Sequence, residues 1–121
     1  MYWQSHDGFD KEYKKLLKKY RQLDDGLKKV KKLLERQFDP VERQSIIGPG
    51  KIHRVTANQT WELWKVEVAL IGSGLKPNQW PRMWFAVSGD TFTLLTISVH
   101  QNNYDNGAQD RLALERYTDI A

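Results

Sequence analysis

A chain of 121 residues is the size of one domain and can bury a core without metal or cross-links. It contains no cysteine, which excludes disulfide frameworks, thiolate nucleophiles and cysteine-based zinc sites together. The net charge is +4, yet residues 10–36 alone carry nine Lys and two Arg against five acids. The basic excess is therefore confined to one N-terminal segment and points to an anionic partner, either nucleic acid or an acidic protein.

No apolar stretch reaches the ~20 residues of a membrane span, and the opening MYWQSHDGFD lacks the basic-then-apolar layout of a signal peptide. A single cytoplasmic domain over residues 1–121, with no membrane contact, is the expectation. His6 and His53 have no partner at metal-ligand spacing, so neither a metal site nor another cofactor is expected.

Residues 2–6 read as a short strand. From Phe9 a helical period begins: Phe9, Tyr13, Leu16, Leu17 and Tyr20 share one stripe, and Lys11, Lys14, Lys15 and Lys18 lie opposite. Asp10 and Glu12 fall early, where the helix dipole favours acids. The stripe breaks at residues 21–25, and Asp24 or Asp25 can cap a second helix. Gly26 weakens its start slightly. Leu27, Val30, Leu34 and Phe38 form the second stripe, with Lys28, Lys29 and Lys32 facing away, and Pro40 stops it. Two helices joined by a short turn predict an αα-hairpin. The basic run covers too few heptads for a coiled coil and contains Gly26.

Gly48-Pro49-Gly50 is a break. Residues 52–55 read as a short strand, with His53 and Arg54 on alternate faces. Three apolar segments follow, residues 61–69, 82–87 and 91–100. Read at period two, Trp64, Val66 and Val68 oppose Lys65 and Glu67; Met83, Phe85 and Val87 oppose Arg82 and Trp84; Leu95, Ile97 and Val99 oppose Thr96, Ser98 and His100. A long loop from Gly72 to Pro81 separates the first pair, and Ser88-Gly89-Asp90 is a compact hairpin turn for the second. Consecutive hairpins would place Lys65, Glu67, Arg82 and His100 on one surface. Residues 108–118 read as a short helix. The predicted class is α+β: an N-terminal αα-hairpin packed on a three- to four-stranded antiparallel sheet, with a short C-terminal helix.

This order, with these residues, resembles the RelE/ParE superfamily of type II toxins over nearly the whole chain. Phe9-Asp10-Lys11-Glu12-Tyr13-Lys14-Lys15-Leu16 is similar to the family's opening helix. Trp64-Lys65-Val66-Glu67-Val68 is similar to its first central strand. Pro81-Arg82-Met83-Trp84-Phe85 is similar to the next, whose leading Arg contacts the scissile phosphate in the RNA-cleaving branch. Residues 94–100 are similar to the last, which in several ribonuclease members ends in a His or Tyr. Two departures stand out: His100 and Tyr104 are separated by Gln101, Asn102 and Asn103, and no Arg lies near the end of that strand.

The resemblance implies a RelE-like fold and an mRNA endoribonuclease that uses the RNA's own 2′-hydroxyl, leaving a 2′,3′-cyclic phosphate and a 5′-hydroxyl. Arg82 would grip the phosphate, because a guanidinium matches two phosphate oxygens with parallel N–H bonds. Lys65 would add a second cation. Glu67 and His100 would serve as base and acid, in either order, with Tyr104 stacking a base or replacing the acid. Trp84 and Trp80 flank Arg82 and could stack RNA bases, whereas Trp64 belongs to the apolar face. Lys11, Lys14, Lys15, Lys18, Lys28 and Lys32, with Arg54, would bind RNA, on the ribosome or free. The same basic surface could dock an acidic segment of a cognate antitoxin, the protein partner that the resemblance implies. The alternatives are a gyrase-directed toxin of the same fold and an inactive basic binding module.

Overall fold

The computed structural model describes residues 1–99 and 106–120. In chain order the elements are β1 (Tyr2–Ser5), α1 (Asp7–Lys19), α2 (Leu23–Gln37), β2 (Ile52–Ala57), β3 (Glu62–Glu67), β4 (Arg82–Ser88), β5 (Thr91–Ser98) and α3 (Asn106–Ile120). The strands form one five-stranded sheet ordered β1-β5-β4-β3-β2. Strands β2 to β5 pair antiparallel with their sequence neighbours, while β1 pairs parallel with β5. The sheet is thus mixed and larger than the expected three to four antiparallel strands. The tight turn at Gly89, where φ is +59°, connects β4 to β5 and favours a residue without a Cβ.

The two amphipathic helices cover one face. Phe9, Leu23, Leu27, Val30 and Leu34 meet Val66, Met83, Phe85, Phe92 and Ile97. Phe38 lies among these with its ring edge-on to Trp64, Phe85 and Phe92. The backbone of α1 comes closer to β5 than to α2, so the expected hairpin is looser than a self-contained pair. Helix α3 covers part of the other face, where Leu63, Trp84, Ala86 and Leu95 pack with Ala113 and Tyr117. It runs for 15 residues and makes a third layer, which the expectation of a short terminal helix missed.

That third layer corrects the reading of the strand faces. Trp84, expected on a polar surface, is fully buried beneath α3. Strand β5 also breaks strict alternation. Phe85 pairs with Leu94 while Trp84 pairs with Thr96, so Leu95 is the extra residue of a β-bulge. Leu95 joins the α3 side instead of sharing a face with Ile97 and Val99.

Local details differ from the sequence reading for physical reasons. The α1 cap is His6, whose Nδ1 accepts from the Gly8 N–H at 2.9 Å. Glu12 turns inward rather than serving the helix dipole. Gln22 precedes α2 and supplies no side-chain cap. Asp24 instead accepts from the Tyr13 hydroxyl, and burial together with that bond raises the Tyr13 phenol above its ordinary value. Gly26 is buried, and a Cβ there would lie 2.4 Å from the Ala69 carbonyl oxygen. Its absence of a side chain lets α2 approach the chain that leaves β3.

Candidate nucleic-acid site on the sheet

On β3, alternation sends Leu63, Lys65 and Glu67 to the face that α3 covers only in part. Leu63 is buried there, and the chain end carrying Glu67 is more open. Antiparallel pairing sets Glu67 directly opposite Arg82 on β4. On the other side of β3, His53 is opposite Lys65, and the Glu67 N–H donates to the Lys51 carbonyl at 3.0 Å. Lys51, His53, Lys65, Glu67 and Arg82, with Gly50 and Val66, line a single hollow. Three of these residues were expected together; Lys51 and His53 are additions.

The charges in the hollow are not equivalent. The Lys65 side chain is only 14% exposed, and its Nζ lies 3.6 Å from the Asp110 carboxylate on α3. The same Asp110 oxygen accepts from the Trp84 indole N–H at 2.7 Å. Lys65 also lies near the face of that indole. This cation is partly compensated from behind, by Asp110 of α3. The Glu67 and Arg82 side chains make no hydrogen bond or ion pair among the described residues. A guanidinium and a carboxylate side by side, flanked by an ammonium and an imidazole, can hold a phosphate and move protons. No group of three or more metal-ligating side chains occurs among the described residues.

No family model matches the chain, and none of the curated proteins does. Among solved structures it is similar to a chain of the archaeal RelE–RelB complex from Pyrococcus horikoshii OT3. The two share 13% identity at a TM-score of 0.50, over 84% of this chain and 96% of that one. The chain has a RelE-type fold. The family resemblance read from the α1, β3, β4 and β5 segments agrees with this.

Within the RelE-type fold the other expected site residues separate. Trp84 is closed to a stacking base because it is fully buried. Trp80 is half-buried against the helix-side core. Arg54 pairs across the sheet with Trp64 and so faces away from the hollow, beside Glu62, which Arg43 holds. Alternation fixes this, since His53, one residue earlier, pairs with Lys65 on the hollow side. Lys11, Lys14, Lys15, Lys18, Lys28 and Lys32 are all exposed on the helices, and none lines the hollow. His100 and Tyr104 lie outside the described residues.

Asp110 and Lys51 had no sequence signal. Asp110 comes from a helix distant in sequence, and Lys51 precedes its strand. His53 had one: it alternates with Arg54 across the faces of the edge strand.

Proposed function

We propose that this chain is the toxin of a toxin–antitoxin pair and that it cuts RNA without a metal. The observation that carries the reading is the Arg82–Glu67 pairing across β4 and β3, in a hollow that also holds Lys51, His53 and Lys65. The RelE-type fold supports the toxin class, and the matched structure is a complex of RelE with RelB, which supports an antitoxin as partner here.

In this reading Arg82 binds two oxygens of the scissile phosphate, and Lys51 adds a second positive charge as the phosphorane forms. Glu67 takes the proton from the 2′-hydroxyl. The oxygen then attacks phosphorus, the P–O5′ bond breaks, and an acid protonates the departing 5′-oxygen. An imidazole suits that role because it changes charge in the physiological range. His53 lines the hollow, and His100 follows β5 in sequence; Tyr104 is the other proton donor of that segment. Lys65, held by Asp110 and Trp84, acts as a fixed charge behind the phosphate. The exposed lysines of α1 and α2 steer RNA toward the protein, an effect that weakens as salt rises.

The test is to induce the chain alone in bacteria and map RNA 5′-hydroxyl ends. Cuts in translated messages that vanish with Arg82→Ala and Glu67→Gln are expected, with a loss of ~10²–10⁴-fold in rate for the general base. His53→Ala and His100→Ala then identify the acid. The compensation of Lys65 by Asp110 favours one other reading, a gyrase-directed toxin that binds without cleaving. Growth arrest with no RNA cuts would select it.

A further inference from the structure

Asp110 lies outside the lining of the hollow, yet it holds one of the hollow's charges. Lys65 and Trp84 are directly opposite across β3 and β4, so both side chains leave the sheet on one face. There the Asp110 Oδ1 takes two contacts, the Trp84 indole N–H at 2.7 Å and the Lys65 ammonium at 3.6 Å. The same ammonium lies 5.9 Å from the centre of the indole ring. On α3, Asp110, Ala113 and Tyr117 recur at helical spacing, and the last two are buried with Leu63 and Trp84. Trp84 is fully buried and cannot turn without moving the core around it. Orientation therefore passes from the indole to the carboxylate, and from the carboxylate to the ammonium.

The two contacts make different demands on residue 110. An indole N–H needs only an acceptor, which the neutral amide of an asparagine supplies as well. The Lys65 side chain is 14% exposed, so its ammonium has lost most of its water and needs a negative charge beside it. The charge of Asp110 is thus explained by Lys65, and its hydrogen bond by Trp84.

We infer that Asp110 is a positioning residue for the hollow: it fixes the Lys65 ammonium against Trp84 and at the same time weakens the hollow's hold on a resting phosphate. An ammonium on a four-carbon stem otherwise spreads over many rotamers. Held by Asp110, its remaining donors are already in place when charge builds on the phosphorane, which speeds the reaction rather than binding. The carboxylate also repels any phosphate that enters, so RNA and cyclic product are bound less tightly than by an unopposed cation. The part of this that concerns turnover rests on the proposed ribonuclease reading; fixing the ammonium and weakening phosphate binding do not.

The probe is inorganic phosphate at constant ionic strength, titrated into the full chain with no RNA present and followed by the NMR shifts of the Lys65 and Arg82 backbone N–H groups. Asp110→Asn keeps an acceptor for Trp84 and removes the charge, and it is expected to bind phosphate about three- to tenfold more tightly than the wild type. Lys65→Met is expected to bind it more weakly. Relaxation of the Lys65 side-chain carbons should show the stem ordered in the wild type and mobile both in Asp110→Asn and in Trp84→Phe, which frees the carboxylate to rotate. Should Asp110→Asn melt below the titration temperature, Asp110→Ser also removes the charge and must shift the affinity in the same direction. Phosphate affinity unchanged or weakened without the charge, no effect of Lys65→Met, or a Lys65 stem equally ordered in all three proteins would overturn the assignment. In cleavage of translated message, Asp110→Asn should lower KM and lower kcat about tenfold, whereas Trp84→Phe should lower kcat with KM nearly unchanged. An unchanged or raised kcat in Asp110→Asn would sink the positioning role in turnover. A wild type that cuts no RNA would count against the ribonuclease reading alone, and the phosphate and relaxation measurements would still decide what Asp110 does.

Discussion

The Glu12 carboxylate on α1 and the Arg116 guanidinium on α3 form a two-point ion pair, at 2.8 and 3.1 Å, beside β5 where β1 has ended. Arg116 also donates to the Leu95 carbonyl at 2.8 Å, and Glu12 accepts from the Thr96 hydroxyl at 2.9 Å and from the Ile97 N–H at 3.3 Å. The pair satisfies backbone groups at the bulge and ties both helical layers to the same strand. It holds in place the α3 helix that carries Asp110.

Arg116→Ala is therefore expected to destabilise the protein by about 2–4 kcal/mol, since it takes the charged partner from a partly buried carboxylate, which keeps only the Thr96 and Ile97 donors, and removes the Arg116 donor from the Leu95 carbonyl. Arg116→Lys should restore little, because an ammonium cannot reproduce the two-point geometry. Gly8 tests the same pair from below: a Cβ there would lie 2.5 Å from the guanidinium carbon. Gly8→Ala should lower stability, and urea titration of the double variant should show clearly less than the sum of the single losses.

Gly26→Ala separates helix propensity from packing. Propensity alone favours alanine inside a helix by up to ~1 kcal/mol. The contact with the Ala69 carbonyl oxygen is to rigid backbone and requires α2 to move, an overpacking cost of ~1–3 kcal/mol. Thermal melts should show a net loss of stability. A gain would mean that α2 is not seated on the chain after β3.

Trp84 is expected to matter for stability and not for stacking RNA. Trp84→Phe removes the indole N–H bonded to Asp110 and should cost about 1.5–3 kcal/mol as a lost bond to a charged acceptor. RNA affinity measured well below the unfolding transition should change less than it does for Arg82→Ala. A larger loss of affinity than of stability would restore a direct contact.

The Arg43–Glu62 pair makes a pH prediction. The bonds from Arg43 hold the Glu62 carboxyl below its ordinary value, against the opposing effect of burial, with the charges of Arg43 and Arg54 adding to it. A carboxylate with a depressed folded pKa contributes stability above the unfolded value of about 4.3, and that contribution disappears as pH falls through the folded value. Arg43→Ala should raise the Glu62 pKa, followed by NMR. Because Arg43 is 55% exposed, the stability loss near neutral pH should stay under about 1 kcal/mol, and it should vanish in strong acid.

The chain's periodicities by themselves determined the amphipathic helices, the strands β2 to β5, the Gly89 turn and the placement of Lys65, Glu67 and Arg82 on one side. The elements result from spacing along a single segment, where side-chain direction is fixed by backbone geometry, and the shared side follows once β3 and β4 pair as a hairpin. Only the tertiary structure decided that Lys51 and His53 join those residues, that Leu95 sides with α3, that Trp84 is buried, and that Asp110 compensates Lys65. Each depends on which distant element packs on a given face, or on one extra residue in a ladder. A bulge at Leu95 or Val55 leaves no mark on composition, yet it reverses the face of every later residue in its strand. Burial beneath α3 likewise depends on a helix that comes after the last strand in the chain, so no pattern local to β4 could reveal it.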